Sequence, residues 1–180
     1  KIGTALKRIE QLIQSMLKIT RIDAGSIFFE KSNYSISNIL NHAISELTTR
    51  ANNEKKEIVI DGDLEQMLYC DIEWTSEAIG NIVKNALDHT DAGGKITISW
   101  ERTPAMIRIY ITDNGHGIDQ GDIHHIFKRF YRSKNTSDSQ GIGLGLPLAK
   151  VIVEEQGGIL SVQSERLQGT TFTLSFLTES

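Results

Sequence analysis

Apolar residues recur at steps of three and four positions in four segments of the chain, which is the pattern of amphipathic helices. These segments span residues 2–23, 35–55, 73–90 and 146–156. Strand-like runs lie between and after them, with alternating apolar and polar residues or clustered β-branched residues. They cover residues 57–62, 66–71, 95–102, 106–115, 157–165 and 170–177, and a shorter run follows residue 26.

The order of these elements predicts the fold class. Residues 95–102 and 106–115 are separated only by Thr-Pro-Ala, so they are expected to form an antiparallel hairpin. The remaining elements fit a layer of helices over one mixed or antiparallel sheet. The sequence therefore predicts an α+β domain, built as a two-layer α/β sandwich.

The first helix has two interpretations. Its apolar residues step alternately by four and three, at Ile2, Leu6, Ile9, Ile13 and Met16. This is a heptad pattern, which predicts packing in a coiled coil or helical bundle. The alternative is a helix that belongs to the core of the main domain. The turn-forming residues 23–26 separate the helix from the next element, which favours the bundle.

Composition and charge argue against several classes of function. The 180 residues are 39% hydrophobic and 23% charged, as in a globular domain. The formal net charge of -4 argues against general nucleic-acid binding, which requires a basic surface. No apolar run reaches the ~20 residues that span a bilayer. The single cysteine, Cys70, excludes an internal disulfide, and its apolar neighbours predict a buried, unreactive thiol.

Two short motifs carry candidate chemistry, and each also has an ordinary structural explanation. Asn81 and Asn85 lie four residues apart on a predicted helix, so both amides face one side. They could ligate a phosphate-bound Mg²⁺, or they could be a solvated polar pair. Asp113 ends a strand just before Gly115 and Gly117. Its carboxylate could bind an exocyclic amino group, or the segment could be a plain turn.

A third motif is the glycine-rich stretch Gly141, Gly143 and Gly145, directly before the last helix. It is not a P-loop, which ends in Gly-Lys-Ser/Thr, and it is not a dinucleotide fingerprint, which follows a strand. The residues before it, 132–140, are polar and turn-forming. It therefore predicts another kind of phosphate-binding loop, with backbone N–H groups at a helix N-terminus.

Taken together and in this order, the motifs resemble the catalytic and ATP-binding domain of bacterial sensor histidine kinases, in the superfamily that includes gyrase and MutL. The resemblance covers residues 35–177. Five segments are similar to the family's N-box, first glycine box, F-box, second glycine box and last strand: GNIVKNALDHT (80–90), DNGHGI (113–118), IFKRFYR (126–132), GIGLGL (141–146) and GTTFTLSF (169–176). The resemblance implies a Bergerat-type ATP-binding fold in residues 26–180. Residues 1–25 resemble the second helix of the family's dimerisation and histidine-phosphotransfer domain.

The resemblance also implies ATP and Mg²⁺ as cofactors. Asn85, assisted by Asn81, would hold Mg²⁺ between the phosphates, and with Arg132 they would form the catalytic set. Asp113 would accept a hydrogen bond from the adenine amino group. Phe127, Phe130 and Tyr131 would anchor a mobile lid that the glycines hinge. The full nucleotide-binding set comprises Lys84, Asn85, His89, Asp113, Gly115, Gly117, Ile118, Phe130, Tyr131, Arg132, Lys134, Gly141, Ile142, Gly143, Leu144, Gly145, Leu146 and Thr171.

Two departures from the family pattern bear directly on phosphate transfer. Many members have a lysine three residues after the second N-box asparagine; here that residue is Asp88, so Lys84 or Lys134 would have to replace it. The family's phosphoacceptor histidine precedes an acidic residue and a proline. None of the five histidines has that context: His42, His89, His116, His124 and His125. The acceptor is therefore expected before Lys1.

The implied function is transfer of the ATP γ-phosphate to a histidine on a dimerisation domain mostly outside these residues. The implied partners are a response regulator and a second copy of the protein, with no nucleic acid. The chain would be the cytoplasmic domain of a bacterial membrane protein. One alternative is a gyrase- or MutL-type ATPase, in which ATP closes a clamp. Another is a binding module with a vestigial nucleotide site, against which the intact glycines and asparagines count.

Overall fold

The computed structural model describes residues 1–133 and 143–178, and within them the chain forms five helices and seven strands. The helices are α1 (Ile2–Asp23), α2 (Ile36–Asn53), α3 (Ile72–Asp88), α4 (Gln120–Ile123) and α5 (Gly145–Glu155). The strands are β1 (Ser32–Ser35), β2 (Glu57–Asp61), β3 (Met67–Cys70), β4 (Lys95–Arg102), β5 (Met106–Asp113), β6 (Ile159–Glu165) and β7 (Gly169–Leu177).

Five of the strands form a mixed sheet in the order β2-β4-β5-β7-β6. Strand β2 runs parallel to β4, and the other neighbours are antiparallel. The predicted α+β class and the β4–β5 hairpin are confirmed. The sequence predicted one sheet, but β3 pairs with β1 instead, in a separate two-stranded sheet.

The core lies between the larger sheet and the helices. Ile98, Ile109 and Leu174, on the three central strands of that sheet, have no exposed surface. Ile79 and Ile82 of α3 are buried to the same extent in the same cluster. Fully burying a side chain of this size contributes roughly 1.5–3 kcal/mol. This packing fixes α3 over the sheet, and α3 carries both asparagines of the candidate site.

The N-terminus of α3 is fixed by a network of buried hydrogen bonds. The carboxylate of Asp71 accepts a bond from the backbone N–H of Trp74 at 3.1 Å, which is an N-cap. Gln156, just after α5, accepts a bond from the Asp71 N–H at 2.8 Å. The same side chain donates to the Thr75 hydroxyl at 3.0 Å. These bonds connect α3 directly to α5.

The core interpretation of α1 is confirmed for the C-terminal part of the helix, and the bundle interpretation stays a prediction for its N-terminal half. Its C-terminal turns belong to the core, because Ile19 and Ile22 are buried. Its N-terminal half leaves Ile9 and Ile13 about half exposed, at 52% and 53%, and no other helix among the described residues covers them. The exposed face keeps the heptad pattern that predicts bundle packing. Among the described helices, none is long and apolar enough to cross a bilayer.

Candidate functional site

A cavity of ≈ 290 Å³ opens where β5 ends, beside the C-terminal half of α3. Its size is at the lower end of what small-molecule sites require. Nine of the residues expected from the sequence to bind nucleotide line it: Asn85, His89, Asp113, Gly117, Ile118, Tyr131, Arg132, Gly143 and Leu146. Eight further residues complete the wall: Asp88, His116, Asp119, Ile126, Ser133, Arg166, Leu167 and Thr170.

Asp113 is the buried acid of this cavity, only 4% exposed. It is the last residue of β5 and lies opposite Thr170 of β7. One carboxylate oxygen accepts a hydrogen bond from the Gly115 N–H at 2.9 Å. Burial raises the pKa of the Asp113 carboxyl to about 6, although the bonds from the backbone N–H groups of Gly115 and Thr170 oppose the shift. The cavity therefore holds a fixed hydrogen-bond acceptor whose charge changes near neutral pH.

The turn after Asp113 packs directly against the end of α3. The His116 N–H donates to the His89 carbonyl at 3.2 Å. A Cβ on Gly115 would lie 2.1 Å from that carbonyl oxygen, so only glycine allows this approach. Gly115 itself lines a third, neighbouring cavity of ≈ 330 Å³ and not the first one. Burial also lowers the pKa of the His89 imidazole, so this side of the site favours a neutral ring.

A second, larger cavity of ≈ 930 Å³ adjoins the first, between α1, α3 and the start of α5. Asn85 lines both cavities, and four further expected residues line only the larger one: Asn81, Lys84, Leu144 and Gly145. Among the described residues, the side-chain amides of Asn81 and Asn85 make no hydrogen bond, and neither is buried without a partner. Both amide oxygens are therefore available to a ligand.

The start of α5 forms the wall between the two cavities. A Cβ on Gly145 would lie 3.8 Å from the Cβ of Asn81, so the first turn of α5 faces the asparagine pair. Unpaired N–H groups at a helix N-terminus form an anion-binding site. Gly143 adopts a left-handed φ of 79°, and a Cβ there would lie 2.8 Å from the backbone of Phe130. The Phe130 N–H donates to the Gly143 carbonyl at 2.9 Å, which fixes this turn.

Besides Gly115, two expected ligands lie away from both cavities. Thr171 is on the opposite face of β7, where its hydroxyl hydrogen-bonds that of Thr112 at 3.0 Å, and its neighbour Thr170 lines the cavity instead. The alternation of side chains along a strand explains this one-residue difference. Phe130 is 53% exposed and contributes its backbone. Phe127 is the aromatic residue that packs inward, with its ring centroid 6.2 Å from that of Phe172.

Sequence reasoning missed three features of the site. Thr170 could have been found from the sequence, because side chains alternate along a strand and Thr170 lies two residues before the apolar Phe172. Asp88 was noted only as a departure, yet it lines both cavities. Arg50 gave no local signal, because α2 brings it to the site from far along the chain. The remaining expected ligands, Lys134, Gly141 and Ile142, lie outside the described residues.

A family model described as histidine kinase-, DNA gyrase B-, and HSP90-like ATPase matches residues 70–180, which is more than half of the chain. The chain belongs to this family. Within it, the chain is the catalytic ATPase domain of a two-component sensor histidine kinase, as its relatives indicate. ATP is therefore a ligand of this domain.

Two curated relatives are similar over nearly the whole of this kinase domain. The Sensor protein kinase PmrB of Pseudomonas aeruginosa is 30% identical over 162 residues, which is 90% of this chain and 34% of PmrB. The Sensor protein SrrB of Staphylococcus aureus is 29% identical over 170 residues, 93% of this chain and 29% of SrrB. The chain thus spans about a third of the length of these relatives.

Solved histidine kinases share the fold of this domain. The Acinetobacter baumannii histidine kinase AdeS has a TM-score of 0.82 and 18% identity, covering 97% of this chain and 81% of that one. Histidine kinase ThkA, in a structure with the response regulator protein TrrA, has a TM-score of 0.77 and 20% identity. That match covers 99% of this chain and 49% of ThkA.

The side chains of the kinase domain fit a magnesium ion only when phosphates complete its coordination. Among the described residues, no group of three or more His, Cys, Asp or Glu side chains could hold a metal ion. Asn81 and Asn85 offer neutral oxygen ligands, which suit a cation that already carries phosphate charge. Asn81 and Asn85 would therefore fit a Mg²⁺ ion that is bound together with nucleotide phosphates.

Proposed function

We propose that this domain binds Mg-ATP and donates its γ-phosphate to a histidine of the full-length protein. The observation that carries the proposal is the linear order of groups through the two cavities. Asp113 lies in the smaller cavity, Asn85 lines both, and Asn81 and Lys84 lie in the larger one. A hydrogen-bond acceptor for the adenine is thus followed by neutral metal ligands and a cation for the phosphates. This order matches the order of adenine and phosphates along ATP.

Each group has a distinct task in phosphoryl transfer. Asp113 orients the adenine by accepting a hydrogen bond from its amino group. Asn85 and Asn81 would hold Mg²⁺ beside the phosphates, where the ion would supply charge neutralisation for the transfer. The first turn of α5 adds N–H donors, and Arg132 adds a cation at the wall of the smaller cavity. Positioning and charge stabilisation supply most of the catalysis in reactions of this class.

The full-length protein is proposed to work as a membrane-anchored homodimer that passes its phosphate to a response regulator. Its relatives carry sensor names, and one similar kinase was solved with a response regulator. The heptad face of α1 supports helical pairing between two copies. The chain's own histidines are not the proposed acceptors, because none of the five lies on α1.

Calorimetric titration of ATP with Mg²⁺ into the wild type and Asp113→Asn tests the proposal. The variant loses a charge-assisted hydrogen bond worth ~1.5–3 kcal/mol, so affinity should fall by about 10-fold or more. Asp63→Asn is the matched control, since Asp63 accepts a bond from the N–H two residues on, at 3.0 Å, outside both cavities. Equal ATP affinity in the wild type and Asp113→Asn would contradict the assignment.

A further inference from the structure

Four charged side chains form a connected cluster where α2 meets the end of α3. Arg50 donates through Nε to Glu54 at 2.6 Å and through Nη2 to Asp88 at 2.5 Å. Lys56 donates to Glu54 at 2.7 Å and to the Leu87 carbonyl at 2.7 Å. Glu54 thus ties both cations together, and its pKa is lowered chiefly by the bond from Arg50. The cluster holds Arg50 in one place.

This cluster lies at the far end of the nucleotide site. Asp113 lines only the smaller cavity, and Arg50 lines only the larger one. Asp88 and Asn85 line both, so they lie between the two ends. A nucleotide whose base is bound at Asp113 and whose phosphates pass Asn85 would point its terminal phosphate towards Arg50.

Arg50 has donors left for such a ligand. A guanidinium carries five N–H groups, and the bonds to Glu54 and Asp88 use two of them. The side chain is 35% exposed, and no polar side-chain atom of the described residues is buried without a partner. The remaining N–H groups therefore face solvent in the larger cavity. Arginine can bind phosphate and carboxylate together in this way because its donors fan out in a plane.

The charges at this end favour Arg50 as the phosphate ligand. The Asp88 carboxylate faces the path of the phosphates, where it would repel them if it were unpaired. Its bond to Arg50 compensates that charge and also directs the guanidinium to the phosphate path. Lys84 supplies a second cation and forms no ion pair among the described residues. Of the two, only Arg50 is held in place by carboxylates.

We propose that Arg50 binds the terminal phosphate of ATP and that Glu54 and Asp88 position it. The proposal rests on the proposed function, since it takes the adenine to lie at Asp113. Arg50 then distinguishes ATP from ADP, because only ATP carries a phosphate at the far end of the site. A residue on α2, outside all five family-like motifs, thus takes part in recognising the transferable phosphate.

The test compares the affinities of Mg-ATP and Mg-ADP in the wild type, Arg50→Gln and Arg50→Lys. Arg50→Gln should weaken ATP about 10- to 100-fold, the range expected for a charged hydrogen bond, and ADP less than about 3-fold. Arg50→Lys keeps the charge but loses the planar fork, so ATP should weaken by a smaller factor with ADP unchanged. Arg108→Gln is the charge-matched control, because Arg108 pairs with Glu101 on the sheet, outside both cavities.

The outcomes separate this inference from the proposed function. An unchanged ratio of ATP to ADP affinity in Arg50→Gln overturns the role of Arg50, even if the wild type binds ATP. Equal weakening of both nucleotides overturns it as well, since that result means a structural role. Thermal unfolding of each variant shows whether it folds. If Arg50→Gln does not fold, the ratio of ATP to ADP affinity in Arg50→Lys tests the role of Arg50 instead. A wild type that binds neither nucleotide overturns both proposals.

Discussion

Asp113 is the residue whose chemistry depends most on its burial. Its carboxyl pKa is raised from 3.8 to about 6, so ionisation is disfavoured in the folded state. In the unfolded chain the same group ionises near its ordinary pKa. Between about pH 4 and 6 the folded state therefore binds more protons, and Asp113 lowers the free energy of unfolding as pH rises through this window. The ionised form is the better hydrogen-bond acceptor for a ligand.

The pH dependence of ATP binding should follow this group. The ionised carboxylate accepts the stronger hydrogen bond from an amino group, so affinity should rise from about pH 5 to pH 7. Calorimetry across this range measures the change, with Asp113→Asn as the control because ATP itself also titrates there. The difference between wild type and variant should shrink as pH falls below about 6. A difference that stays constant from pH 5 to pH 7 would show that the Asp113 charge plays no part.

At the residue scale, the sequence could predict only those site residues that lie within a short recognisable motif. Asp113 and Asn85 were identified because each stands in a short pattern with a clear periodicity. Thr171 was expected where Thr170 is found, although side-chain alternation along β7 already places Thr170 on the face of the apolar Phe172 and Leu174. Arg50 could not be predicted at all, because its partner Asp88 is 38 residues away.

At the scale of elements, helix α3 is expected to determine whether water can compete for the phosphate in the proposed reaction. Hydrolysis needs a base to activate water, and a carboxylate is a common choice. Asn81 cannot act as a base. Glu77, one turn further back, is about 6 Å away along the axis and is paired with Lys18 of α1 at 2.6 Å. Asp88 is paired with Arg50. Both carboxylates of α3 that line the larger cavity are thus held by cations.

The wild-type chain should therefore hydrolyse ATP very slowly. Steady-state phosphate release should stay near the background rate, and Glu77→Gln should leave it unchanged. Asn81→Glu should raise it, because a positioned base contributes about 10²–10⁴-fold. Measuring Mg²⁺-dependent ATP affinity in the same variant controls for lost metal binding. Rapid release by the wild type that Glu77→Gln abolishes would show that Glu77 acts as a base and would contradict this prediction.

The helices and strands were predictable where their apolar residues are regularly spaced. Helices α2, α3 and α5 and the β4–β5 hairpin follow from local spacing of apolar residues. The pairing of β1 with β3, and the parallel pairing of β2 with β4, depend on contacts between distant segments. Local periodicity carries no information about such partners. The short helix α4 was also hard to predict, because four residues give no complete helical period.

At the scale of the whole molecule, α1 connects the nucleotide site to an unpaired surface. Lys18 holds α1 to Glu77 of α3, and Asp23 pairs with Arg129 in the segment before Gly143. The same helix contributes Arg8, Gln11, Gln14, Ser15 and Lys18 to the larger cavity. Along the same stretch of the helix, the heptad residues Ile9 and Ile13 are exposed. A change in how α1 packs on a partner would therefore reach the cavity directly.

The exposed face of α1 should make the chain associate weakly with itself. Ile2, Leu6, Ile9 and Ile13 are between 52% and 79% exposed, and they extend over ~17 Å at 1.5 Å per residue. A single helix face this short is much smaller than the ~1,600 Å² typical of a stable interface.

Sedimentation should show a monomer at low micromolar concentration and a growing dimer fraction above it. Replacing both Ile9 and Ile13 with Gln should remove that fraction, because their side chains form the centre of the face. Glu10→Gln, a polar neighbour, is the control and should change nothing. A tight dimer that survives the double replacement would mean that another surface joins the copies, and the bundle interpretation of α1 would then lose its physical basis.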